Sequence, residues 1–212
     1  MATLIHYSQS NSFQSLQDAV AYCARVSNPS NQQNVETNEK LLTYLIKHQH
    51  WSPFEMVSIC LEINTTRDIA RQILRHRSFS FQEFSQRYAV VNDEFVTKEA
   101  RLQDSTNRQN SIVTTDETLQ QEWVDKQNEL ASHSKEIYTW ALTRGIAKEQ
   151  ARAVLPEGMT PSRLYMNGTL RSWIHYIKLR SNVDTQLEHR QIALACAEAI
   201  SPIFPMIMTF VK

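Results

Sequence analysis

The chemically densest stretch of the chain is Arg75–Arg87, RHRSFSFQEFSQR. Two guanidiniums flank an imidazole, and Glu83, Ser85 and Arg87 follow at alternate positions. Upstream, Arg67, Arg71 and Arg75 recur at i, i+4 and i+8 beside Gln72, so a helix over 67–75 would carry a cationic side opposite an apolar arc of Ile69, Ala70, Ile73 and Leu74. If 83–88 is a strand, as its alternation predicts, Glu83, Ser85 and Arg87 share one face while Phe84, Gln86 and Tyr88 take the other. An acid, a hydroxyl and a guanidinium beside an arginine-lined helix end suit a phosphorylated nucleotide, because arginine forks onto phosphate and serine completes the shell.

The whole-chain composition sharpens that reading. Lys and Arg total 22 against 22 Asp and Glu, so the formal net charge is zero and no global field draws the chain to nucleic acid or membrane. Only three glycines occur, at 145, 158 and 168, and neither G-x-G-x-x-G nor G-x-x-x-x-G-K-[ST] can be written from them. Side chains must therefore hold any phosphate. The three cysteines, Cys23, Cys60 and Cys196, form no C-x-x-C pair and have no histidine partner that would lower a thiol pKa, which disfavours both a disulfide framework and a cysteine nucleophile. The amino terminus lacks a basic region followed by an apolar core, and no apolar run reaches membrane-span length, so a cytoplasmic protein without membrane contact is expected. His48 and His50 make an H-x-H with no third ligand of matching pattern, and no metal site is expected.

The elements that must position these residues follow from periodicity. SFQSLQDAVAYCARVS reads as a helix capped by Ser12 or Ser15. A second helix runs through NVETNEKLLTYLIKHQH from a Thr37 cap and stops before Pro53. The alternation Val57, Ile59, Leu61, Ile63 predicts a strand. Residues 92–116 read as loop with a short helix, and 117–144 as a long helix with Leu119, Trp123, Leu130, Ile137 and Leu142 among polar positions, ending near Gly145. A short helix precedes Pro156, MTPSRLYMNG reads as a short strand, and a helix capped by Thr169 runs to Arg180. The last helix spans 184–200 from an Asp184 cap. The sum is a single helix-rich α/β domain of the α+β type over 1–212, an antiparallel sheet flanked by helices.

R-H-R, seven residues, then Ser, as Arg75-His76-Arg77 to Ser85, resembles the signature of the flavin-dependent thymidylate synthases. HQHWSPFEM is similar to the family's H-x-x-P-F-E segment through His50, Pro53, Phe54 and Glu55, and ARAVLP and LRSWIHYIKLR are similar to its later motifs. The resemblance implies a homotetramer with active sites at subunit interfaces, methylating dUMP to dTMP without an enzyme cysteine. Methylenetetrahydrofolate would give the carbon, and NADPH would reduce FAD. FAD would be held by Ser52, Arg75, His76, Arg77, Glu83, Thr169, Arg171 and His175, with His50 a flavin or folate contact. dUMP would meet Gln72, Ile73, Leu74, Arg75, Glu83, Phe84, Ser85, Gln86, Arg87, Arg152 and Arg180, with Arg180 the catalytic residue that polarises the uracil ring. The sequence departs from the pattern at Gln86, where the family often has glycine, and at Thr169 and His175, where it often has asparagine. Two readings compete: an arginine-rich nucleic-acid-binding protein, which Asp68 and Glu83 within the patch count against, and a nucleotide-binding relative without turnover.

Overall fold

The structure is a computed structural model describing residues 1–92 and 94–212. In chain order it comprises β1 (Ala2–Tyr7), α1 (Leu16–Ala24), α2 (Asn38–Lys47), β2 (Ser58–Thr66), α3 (Arg67–Ile73), β3 (Phe79–Glu83), β4 (Arg101–Gln103), β5 (Ser111–Val113), α4 (Glu117–Thr143), α5 (Lys148–Ala151), β6 (Pro161–Thr169), α6 (Leu170–Arg180) and α7 (Leu187–Ile200). β1, β2, β6 and β3 form one antiparallel sheet in that spatial order. The expected antiparallel sheet with flanking helices is borne out.

β2 and β6 form the spine. Ile59, Leu61 and Ile63 on β2 and Leu164 and Met166 on β6 are fully buried. Each strand runs straight into a helix: β2 into α3 at Thr66–Arg67, β6 into α6 at Thr169–Leu170. Thr66 pairs with Pro161 and Ser58 with Thr169, so the two helices leave the sheet from opposite ends. They finish together, where Arg180 at the end of α6 meets His76 just beyond α3. Gly168 is fixed by packing. Phe79 crosses it so closely that a Cβ there would lie 2.4 Å from the ring, and the same ring stands edge-on to Trp173 at a centroid distance of 4.9 Å. Trp173 in turn donates its indole N–H to the Ile59 carbonyl.

Local chemistry explains the caps. Ser15 and Asp18 make a reciprocal capping box on α1, and Thr169 accepts from the Ser172 amide to open α6. Thr37 begins α2 without capping it through its side chain, because its hydroxyl accepts instead from the buried Arg25 guanidinium. Gly145 closes α4 at φ +78°, the left-handed geometry expected of a glycine after a helix.

Four expectations need correction, and α4 shows which of its faces is buried. The helix expected over 67–75 ends at Ile73, leaving Arg75 beyond its cationic stripe. The strand expected over 83–88 is instead β3, ending at Glu83; the Ser85 carbonyl then accepts from the Tyr88 and Ala89 amides and folds the chain into a turn. Glu83, Ser85 and Arg87 therefore do not share a strand face. No helix forms among the described residues of 92–116, which contain the β4–β5 hairpin; Asp93 lies outside the described residues. α4 buries Gln127, Ser134, Tyr138 and Ala141 and leaves Trp123 and Leu130 exposed, because Gln127 and Gln120 bond the backbone of Lys98 and Ala100 and turn that face inward. α7 begins at Leu187, not at an Asp184 cap.

Candidate active site

Three clusters carry the residues singled out above. The first forms where α3 and α6 end. Arg180 donates its Nε–H to His76 Nε2 at 3.0 Å, and His76 stands edge-on to Tyr176 at a centroid distance of 5.0 Å. Burial first, then the guanidiniums of Arg180 and Arg75, hold His76 down at about 4. It is therefore neutral at pH 7, as an acceptor for Arg180 must be. Gln72, on the last turn of α3, reaches His189 and Gln186.

The second cluster is built on Glu83, at the end of β3. Its carboxylate accepts from both Arg71 (3.0 Å and 3.3 Å) and the Ser162 hydroxyl (2.7 Å), with Arg67 at 3.6 Å. Arg67 and Arg71 face Arg152 and Gln86 across an open cleft of about 550 Å³, which Glu149 and Glu157 also line. Gln86 is 4% exposed, and its Nε2 amide has no partner among the described residues. A buried N–H donor beside three guanidiniums, with nothing to donate to, is the arrangement an anionic ligand completes. Arg87 lies outside this lining and pairs with Glu149 at 3.2 Å.

The third cluster lies at the start of α6. Arg171 pairs with Glu55, and His175, one turn on, lies against Trp51 at a ring-centroid distance of 6.0 Å. Ser52 opens the short 3-10 turn that contains Glu55. His50 and His48 stack around Tyr44, and among the described residues no group of three or more His, Cys, Asp or Glu side chains could hold a metal ion. Thr169 spends its hydroxyl on capping α6.

The structure thus joins Gln72, His76 and Arg180; Glu83, Gln86 and Arg152; and Ser52, Arg171 and His175. Arg75 and Arg77 are exposed and make no ion pair among the described residues. Ile73 is wholly buried, so only its backbone could face a ligand, and its carbonyl already accepts from His76. Leu74, Phe84 and Ser85 are half-buried around the loop ends. Sequence reasoning passed over Arg67, Arg71, Ser162, Tyr176 and His189 as site residues. The first two appeared only as a stripe, and His189 sits in an apolar helix that reads as core. Burial pushes the thiols of Cys60 and Cys196 up, which leaves them poor nucleophiles.

Comparison with known proteins agrees across almost the whole chain. Residues 3–206 match the sequence model of the family described as thymidylate synthase complementing protein. The chain is 52% identical over 191 residues to the probable flavin-dependent thymidylate synthase of Paramecium bursaria Chlorella virus 1, covering 90% of this chain and 88% of that one. It is also 52% identical over 188 residues to the flavin-dependent thymidylate synthase of Synechocystis sp., covering 89% and 86%. Among solved structures, the UMP/dUMP methylase PolB from Streptomyces cacaoi bound with 5-Br dUMP superposes with a TM-score of 0.85 at 27% identity, over 99% of this chain and 93% of that one. The match spans β1 to the residues after α7, so the fold and all three clusters fall within it, and the chain belongs to the thymidylate synthase complementing protein family.

Proposed function

We propose that this chain is a flavin-dependent thymidylate synthase, which methylates dUMP to dTMP using FAD, NADPH and methylenetetrahydrofolate. The observation that carries the reading is that both late arginines return to one short motif. Arg180 bonds His76, and Arg152 lines a cleft with Gln86. The three clusters supply cationic and amide donors without any glycine loop, which suits two phosphorylated ligands. When bound, FAD reduced by NADPH supplies the hydride. Ser52, Arg171 and His175, with the unpaired guanidiniums of Arg75 and Arg77, are the groups that fit it, and His50 is an added flavin or folate contact.

For dUMP, Arg152 and the Gln86 amide are the phosphate donors and Gln72 a further amide contact. Arg180 brings a planar guanidinium to the same place. Its Nε is spent on His76, which fixes the plane of the guanidinium and leaves its terminal N–H groups for the uracil ring, where they favour negative charge. Cys60 and Cys196 are buried, and Cys23 lines a separate cleft with Tyr7, Phe13 and Met56, so no cysteine stands among the three clusters to act as a nucleophile. The part left to this chain's own residues is to hold the uracil ring and polarise it.

The homotetramer belongs to the same proposal, with residues 1–212 acting as one unit. Trp123 and Leu130, seven residues apart on one face of α4, are about half exposed, and they are the apolar surface this proposal would have a second copy cover. Among the described residues no helix is long and apolar enough to cross a membrane, and we place the enzyme in the cytoplasm.

The test is the absorption spectrum of the purified protein together with a dUMP-dependent assay. An oxidised-flavin spectrum that bleaches with NADPH, and dTMP formed only with methylenetetrahydrofolate, are expected. A protein that stays colourless after reconstitution with FAD and binds no dUMP refutes the proposal.

A further inference from the structure

His189 lies on α7, is 0% exposed, and makes both of its ring hydrogen bonds to residues of other helices. Its Nδ1 is 3.1 Å from Gln72 Oε1 and its Nε2 is 3.2 Å from the Tyr176 hydroxyl. Gln72 continues outward: its Nε2 meets Gln186 Oε1 at 2.7 Å, Gln186 Nε2 meets Glu188 Oε2 at 2.9 Å, and Glu188 is held by Arg101.

The polarity of this chain is determined from one end. Glu188 beside Arg101 is a carboxylate and can only accept, so Gln186 must turn its amide nitrogen to it and its carbonyl to Gln72. Gln72 must then present nitrogen to Gln186 and oxygen to His189, so His189 must donate from Nδ1. The neutral Nδ1–H tautomer leaves Nε2 as the acceptor for the Tyr176 hydroxyl. With the imidazole neutral, every link has one donor and one acceptor, and reversing any link sets two donors or two acceptors against each other. One hydrogen on Gln72 Nε2 has no acceptor among the described residues, and the chain fixes where it points.

We propose that His189 is a positioning residue: through the directed chain Tyr176–His189–Gln72–Gln186–Glu188 it locks the Gln72 amide with a free N–H toward the nucleotide. Whether that N–H serves dUMP rests on the reading of the site given above; the polarity of the chain does not. Burial first, then the charge of Arg180, keeps His189 neutral at pH 7, its ring held down to about 3, consistent with this tautomer. Arg180 and His76 are the charged or titratable groups that weigh on it from α6 and from beyond α3.

The experiment compares His189→Leu, His189→Asn, Gln72→Ala and the double variant Gln72→Ala/His189→Leu as flavin-loaded enzyme. His189→Leu should raise KM for dUMP about tenfold, the worth of one oriented hydrogen bond, with kcat and the flavin spectrum little changed. His189→Asn sets an amide N–H where Nδ1 stood and should recover most of that loss. In the Gln72→Ala background, His189→Leu should add nothing. KM within about twofold of wild type for His189→Leu, no recovery in His189→Asn, or additive losses in the double variant would overturn the proposal. Ring 15N shifts of His189 in the intact protein give a readout free of catalysis: an Nε2–H tautomer or an imidazolium at pH 7 overturns the chain. An Nδ1–H tautomer in a protein that neither binds nor methylates dUMP upholds the chain and removes the nucleotide reading instead.

Discussion

The buried imidazole of His189 makes an acid-stability prediction whose size can be worked out. Burial and Arg180 lower its folded-state value from 6.5 to about 3. Because the folded value lies below the unfolded one, the unfolded chain binds more protons, and stability present above about 6.5 is lost as pH falls toward 3. At pH 5 the unfolded imidazole is almost wholly protonated and the folded one almost wholly neutral, which costs the fold about 2 kcal/mol; at pH 7 the cost is about 0.2 kcal/mol. Above pH 5 only the unfolded imidazole titrates, so the unfolded chain sets this figure. His189→Leu abolishes this term but leaves the buried Tyr176 hydroxyl and the Gln72 carbonyl without a partner, a pH-independent loss of about 1–3 kcal/mol. The variant should therefore be less stable than wild type at pH 7, with the gap narrowing by about 2 kcal/mol at pH 5. Urea denaturation of both proteins at fixed concentration, at pH 7 and pH 5, measures it. Equal gaps at the two pH values would refute a neutral, buried His189. His76 adds a parallel term in both proteins and cancels from the comparison.

Three other perturbations probe separate parts of the structure. Gly168→Ala drives a Cβ into the Phe79 ring and pushes it off Trp173, so urea stability should fall by about 1–3 kcal/mol; an unchanged midpoint would mean that the ring does not lie where it is placed. Glu83→Gln leaves Arg67 without its anion and Arg71 with Glu157 alone, and should cost about 2 kcal/mol while weakening dUMP binding, read by denaturation and by isothermal titration. Arg180→Ala should lower kcat about a hundredfold or more while the flavin spectrum persists, and near-normal turnover would take Arg180 out of the chemistry.

What could be read from the sequence follows the strength of each local signal. β2, α3, α6 and α7 alternate or repeat over enough residues to be recognised, and residue type marks the start of α6 at Thr169 and the end of α4 at Gly145. β1 escapes because it is an edge strand with mixed burial, its Ile5 facing water. β4 and β5, at three residues each, are too short to show a period. The 83–88 error has a definite cause: Phe84, Gln86 and Tyr88 alternate with polar residues by composition, whereas hydrogen bonding to the Ser85 carbonyl closes a turn that side-chain pattern does not encode. In the site, R-H-R-x7-S was legible because it is contiguous. The contacts of Arg180 with His76 and of His189 with Gln72, 104 and 117 residues apart in sequence, exist only once α6 and α7 pack beside α3.

The scarcity of glycine gives these contacts their significance. A backbone phosphate cradle is fixed by φ and ψ, but a cradle of arginine and glutamine side chains loses about 1.5–2 kcal/mol of rotamer freedom per side chain when a ligand orders it. That loss is avoided if neighbours hold the side chain beforehand, and the structure divides the candidate residues on this basis. Glu83 holds Arg67 and Arg71, His76 holds Arg180, and His189 with Gln186 holds Gln72. Arg75 and Arg77 have no such support within the described residues of one copy. Their ordering must therefore come from outside the protomer, from a ligand or a second copy. If they serve the flavin, Arg77→Ala should weaken FAD retention and leave the urea stability of the flavin-free protein unchanged, whereas a fall in that stability would show that the guanidinium already has a partner inside the fold.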